Sequence, residues 1–219
     1  MVRKAYDSVT VSALPTDGDL YLGYVDGRYA NVAQIHKRFP RRTVVGITVN
    51  GSTLDAQMAD VEVGDLTPDG GARWAVRKVK AGQHPTLYTY ASNAGAVQRA
   101  CTRAGLKPSQ WSLFVADYDG DPTLPPGCVG KQYRSPDGTG RGKVTDGNYD
   151  VSVVADYWPG VDPKPLPKPA ATGTPVSRLS LALARRLTAR LVKRHKPVTG
   201  GRAVLTALDA QIRRVLGLK

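Results

Sequence analysis

Between residues 9 and 158, eight short apolar runs rich in β-branched and aromatic side chains recur: 9–14, 20–25, 43–49, 58–63, 86–91, 111–116, 128–133 and 151–155. Each is bounded by Gly, Pro, Asp or Asn, the residues that turn a chain, and each has strand length. Three intervening stretches, 29–39, 70–80 and 93–104, carry apolar residues at helical spacing. They end on breakers: Arg38-Phe39-Pro40, Ala81-Gly82 and Ala104-Gly105. Strands alternating with helices predict parallel pairing and an α/β class. Eight strands in so short a span predict a compact (β/α)8-type, TIM-like barrel in which several crossovers have lost their helices; an open doubly wound sheet is the alternative.

The pattern then changes. Asp162-Pro163-Lys164-Pro165-Leu166-Pro167-Lys168-Pro169 places Pro at alternate positions, which neither a paired strand nor a helix accepts. It predicts a polyproline-like linker over 161–175 between a barrel domain, 1–160, and a basic helical segment, 176–219. In that segment Ser177 can cap a helix on which Leu179, Leu183, Leu187 and Leu191 recur every four residues. After Lys196-Pro197 and Gly200-Gly201 a second stripe follows, with Leu205, Leu208, Ile212 and Val215. A helical hairpin is expected, and it cannot bury both stripes alone. It needs a protein partner or self-association.

Charge follows the same division. Residues 1–175 hold 20 Lys and Arg against 17 Asp and Glu, a net of +3, and residues 176–219 hold 11 against 1, a net of +10. The tail is therefore expected to present its basic face to an anionic surface. No stretch approaches the ~20 apolar residues of a membrane span, and the N-terminal residues lack the ~7–15 apolar residues of a secretion leader. Synthesis in the cytoplasm is expected, with release to the cell wall or carriage on a virion as the destination. Cys101 and Cys128 show no metal-binding spacing and are expected as reduced, buried thiols; neither a metal nor a cofactor is expected.

The densest chemistry lies in Asp60-Val61-Glu62. On a strand, residues i and i+2 share a face, about 6.5–7 Å apart along the backbone. Two acids so placed repel, which raises the proton affinity of one and leaves the other ionised, the division of labour that glycosidic cleavage uses. The same tripeptide at a strand end also suits a solvated rim.

The first 160 residues resemble an actinobacterial and actinophage family whose domain is similar to the glycoside hydrolase family 25, lysozyme-type barrels. The resemblance rests on Ala5-Tyr6-Asp7-Ser8, Gly23-Tyr24-Val25-Asp26-Gly27, Asp60-Val61-Glu62-Val63-Gly64-Asp65-Leu66-Thr67-Pro68, Pro85-Thr86-Leu87-Tyr88, Ala116-Asp117-Tyr118, Lys131-Gln132-Tyr133 and Tyr149-Asp150-Val151-Ser152. It implies a muramidase acting on peptidoglycan glycan strands. Glu62 would be the general acid, Asp60 the group that stabilises or orients the reacting centre, and Asp7 and Asp150 further acids of the site. By the apolar runs, Asp7 and Asp150 precede their strands, out of step with a barrel enzyme's usual site. Tyr88, Tyr90, Trp111, Asp117, Gln132 and Tyr133 are candidates to line a sugar cleft, since aromatic faces stack on sugars and amides bond hydroxyls. Asp117 and Asp119 lack the distal Glu of a calcium loop and are read as a solvated turn. From a different class comes the alternative of a non-catalytic phage-particle component, a barrel used as a building block and docked by its tail.

Overall fold

Val2–Asp7 forms the first strand, β1, seven residues ahead of the first apolar run. The computed structural model describes residues 2–164, and within them Val11–Ala13 is a 3-10 turn and not a strand. Arg3 and Lys4 hide β1 from a hydrophobicity reading, yet their charges do not enter the barrel. Lys4 lies on the outer face and pairs with Asp17 at 2.9 Å, while Arg3, in phase with Ala5 and Asp7, pairs with Asp162 at 2.6 Å at the end where β1 begins.

The other strands are β2 (Leu20–Tyr24), β3 (Thr43–Thr48), β4 (Met58–Asp60), β5 (Thr86–Tyr90), β6 (Ser112–Ala116), β7 (Cys128–Arg134) and β8 (Asp150–Ala155). They close in sequence order into an eight-stranded barrel. Pairing from β1 through β7 is parallel, but β8 runs antiparallel to both β7 and β1. An all-parallel barrel is thus corrected to a mixed one. The cause is the β7–β8 connection, which reverses the chain through residues 135–149 with no crossover helix.

Three α-helices lie outside, among the described residues: α1 (Val32–Arg38), α2 (Pro68–Lys80) and α3 (Ala94–Arg103). Thr67 caps α2, its hydroxyl accepting the Gly70 amide at 3.1 Å, and Pro68 occupies the first turn, where a missing N–H is harmless. The inner faces of α2 and α3 bury Trp74, Ala75, Val97 and Cys101 against Val61 and Leu87.

Inside the barrel, alternate positions pack together: Ala5, Leu20, Leu22, Val45, Ile47, Met58, Phe114 and Val154. Trp158 closes the end at which the parallel strands begin. It is fully buried and donates its indole N–H to Thr86 at 2.8 Å. Gly130 leaves room for Phe114, whose ring a Cβ there would meet at 2.2 Å. The barrel unit ends at Lys164, and both cysteines are free thiols, Cys101 buried and Cys128 half-buried. The expected linker from residue 165 onward and the helical hairpin expected over 176–219 lie outside the described residues. No described helix is long and apolar enough to cross a membrane.

Candidate active site

At the end where the parallel strands finish, the barrel opens into a cavity of about 110 Å³. It is lined by Asp7, Asp60, Glu62 and Asp150, by Tyr24, Tyr88, Tyr118 and Gln132, and by an apolar floor of Leu22, Ile47, Met58 and Phe114. Each acid arrives there by the strand alternation of its own segment. Asp7 is in phase with Ala5 at the end of β1, and Asp60 with Met58 at the end of β4. Asp150 starts β8, and because β8 is reversed, its first residue stands at the mouth where its neighbours end. There it pairs directly opposite Asp7. The mismatch of Asp7 and Asp150 with the apolar runs is thereby resolved by an earlier β1 and an antiparallel β8.

Asp60 and Glu62 share the cavity for a different reason than the spacing suggests. β4 stops at Asp60, and Glu62 belongs to the turn that follows, in which the Asp65 amide bonds the Glu62 carbonyl at 3.1 Å and the Leu66 amide bonds the Asp60 carbonyl at 3.2 Å. The turn folds the chain back and keeps Glu62 half-buried, while Val63 beside it is fully exposed.

No basic side chain lines this cavity, so burial acts on the acids without a compensating cation. Asp60, only 5 % exposed, is pushed up to about 8, chiefly by burial and then by the charges of Glu62 and Asp65. Glu62 is pushed up to about 7 by burial, Asp65 and Asp150, while the Tyr90 hydroxyl pulls the other way by favouring the charged form. Asp7 is raised well above the carboxylate range by burial and then by Asp150 across the strand pair. Asp150 is also raised by burial, but Ser135, Gln132 and Asp7 favour its ionised form. Of the pair, Asp7 holds its proton the more strongly and Asp150 is the acid that ionises first. Asp60 Oδ1, Glu62 Oε1 and Asp150 Oδ1 are buried without a protein hydrogen-bond partner, three acceptors aimed at one small space.

Tyrosines rim the acids. Tyr88 donates its hydroxyl to Gln132 Oε1 at 2.6 Å, which fixes the amide so that its N–H groups face away from Tyr88. Tyr90, at the end of β5, stands edge-on to Tyr118 with ring centroids 6.5 Å apart. Burial raises Tyr24, Tyr88 and Tyr118, so all three are neutral hydroxyl groups.

Of the ten residues singled out in the sequence, Asp7, Asp60, Glu62, Asp150, Tyr88 and Gln132 line the cavity and Tyr90 borders it. Three stand elsewhere. Trp111 precedes β6, at the opposite end of the barrel, and packs on the outer helices with Leu106 and Val97. Tyr133 follows Gln132 and so points outward, against Tyr6, Val144 and Val151. Asp117 is exposed, with its amide bonded to the Gln132 carbonyl. Parity along β6 puts Tyr118 in phase with Phe114 and Ala116 and puts Asp117 out of phase, so Tyr118 takes the place assigned to Asp117. Tyr24, in phase with Leu20 and Leu22, is legible by the same rule. Ser135 leaves no such signal, because it reaches Asp150 through the irregular chain after β7.

Comparison with protein-family models, curated proteins and solved structures finds no match to this chain.

Proposed function

We propose that this protein is a glycoside hydrolase that cuts the N-acetylmuramic acid to N-acetylglucosamine linkage of peptidoglycan. We read the fold as a reduced (β/α)8 barrel followed by a Pro-rich linker and a basic helical hairpin. The observation that carries the reading is the convergence of four carboxyls from β1, β4, the turn after β4 and β8 on one tyrosine-rimmed cavity without a cation.

Glu62, with a proton affinity near neutrality, is suited to give a proton and take it back. As the bond between the sugar C1 and the bridging oxygen breaks, the bonding electrons leave with that oxygen and the Glu62 proton goes to it. Water then adds its hydroxide to C1, and its remaining proton restores Glu62. One water is consumed, and one reducing end and one hydroxyl are formed. Asp60 keeps its proton up to about pH 8, and a protonated carboxyl is a poor nucleophile but a good hydrogen-bond donor. It orients the reacting sugar by donating to one of its oxygens. Asp150, the more readily ionised of the Asp7–Asp150 pair, faces the positive charge developing on the ring.

Incubation of purified cell wall with the full-length protein and with Glu62→Gln tests this reading. The wild type is expected to release reducing ends and the variant to fall by about 10²-fold or more, the usual contribution of a positioned acid. Equal release by the two, or none from either while a lysozyme control is active, overturns it.

A further inference from the structure

The acidic cavity, at about 110 Å³, falls well below the ~300–1,000 Å³ of sites that enclose a small molecule, so it can receive only part of one sugar. Glu62 also lines a second, open groove of about 620 Å³, built by the turn after β4 and the 3-10 turn Ala91–Asn93 after β5. Val61, Val63, Leu66, Pro68, Tyr90 and Asn93 contribute to its walls. Tyr90 is 43 % exposed and stands at the junction, its ring against Tyr118 of the cavity. Asn93 Nδ2 donates to Thr89 Oγ1 at 2.9 Å, and Thr89 in turn donates to the Val61 carbonyl at 2.7 Å. That chain of bonds ties the two turns to the barrel, so the groove has a fixed floor.

We infer that this groove binds the leaving half of the substrate, an acetamido-bearing hexose ring whose hydroxyl oxygen is freed at Glu62. The inference rests on the hydrolase reading and specifies where that substrate lies. A general acid must stand within hydrogen-bond reach of the oxygen it protonates, so the ring carrying that oxygen lies against the open side of Glu62. The groove is the open space there, and its volume suits one sugar with its substituents. Tyr90 and Val63 offer an apolar platform for a ring face, and the Asn93 amide offers polar contacts for the acetamido group.

The experiment uses a tetrasaccharide of alternating N-acetylglucosamine and N-acetylmuramic acid, bound to the full-length Glu62→Gln protein and followed by calorimetry. Ser92→Trp, at an exposed position on the groove wall, is added to fill the groove, and Asn93→Ala to remove the amide. Ser109→Trp, at the far end of the barrel, serves as the bulk control. Ser92→Trp is expected to weaken binding by about tenfold or more and Asn93→Ala by about threefold to tenfold, with Ser109→Trp unchanged. In the active protein, Ser92→Trp should raise KM with little change in kcat, as loss of uniform binding does. Unchanged affinity in both groove variants, or no binding of the tetrasaccharide at all, overturns the inference. Groove-dependent binding without any release of reducing ends would instead remove the hydrolase reading and leave the groove standing.

Discussion

Replacing Asp60 by Asn should stabilise this protein at neutral pH while impairing its site. Unfolded, the Asp60 carboxyl ionises from about pH 3.8 upward; folded, it holds its proton up to about 8. The stability that goes with a buried neutral carboxyl is therefore intact below about pH 4 and is lost progressively as pH rises towards 8. At about 1.36 kcal/mol per pH unit, the roughly three units between 3.8 and 7 amount to about 4 kcal/mol against folding at pH 7. Asn has the same shape and no charge, and Asp60 Oδ1 has no protein partner to lose. Burying the Asn amide in place of the carboxyl offsets part of this, so a net gain of about 2–4 kcal/mol is expected. For a barrel of this size that corresponds to a rise in Tm on the order of 10 °C. Urea melts of wild type and Asp60→Asn at pH 4 and pH 7 check it. A gain at pH 7 that vanishes at pH 4 is expected; a variant equally destabilised at both pH values would refute the claim that burial without a cation holds this carboxyl neutral.

Other outcomes follow from packing. Trp158→Ala should cost about 3–5 kcal/mol in a urea melt, because it empties the closed end of the barrel and leaves the Thr86 hydroxyl without its indole donor. Gly130→Ala should cost about 1–3 kcal/mol, since the added Cβ would meet the buried Phe114 ring at 2.2 Å, and recovery in Gly130→Ala with Phe114→Leu would show that the clash is the cause.

The strands that sequence made legible are those whose apolar residues face both the barrel interior and the helices, such as β2, β3 and β5, where nearly every position is buried. β1 was illegible because two of its six residues are cations, Lys4 on the outer face paired with Asp17 and Arg3 at the closed end paired with Asp162, a tertiary fact that no local pattern carries. The direction of β8 was equally hidden: its composition is that of a buried strand, and only the loop through residues 135–149 decides which way it runs. The acids of the site were legible as residue types, yet their convergence was not. Asp150 reaches the mouth because β8 is reversed, and Glu62 reaches it because the chain turns after Asp60. Period-2 alternation separates Tyr118 from Asp117 and Gln132 from Tyr133 once the strand frame is known, since it fixes which of two adjacent residues points inward.

The chemical identity of the ends produced tests the central claim most directly. Purified peptidoglycan is digested with the full-length protein, reduced with borohydride and hydrolysed, and the sugar alcohols are separated by mass. If the acidic mouth cuts the proposed linkage, muramitol rises with time for the wild type and stays at background for Glu62→Gln. Muramitol at background for both, with a lysozyme control positive, or an equal rise in both, contradicts the account.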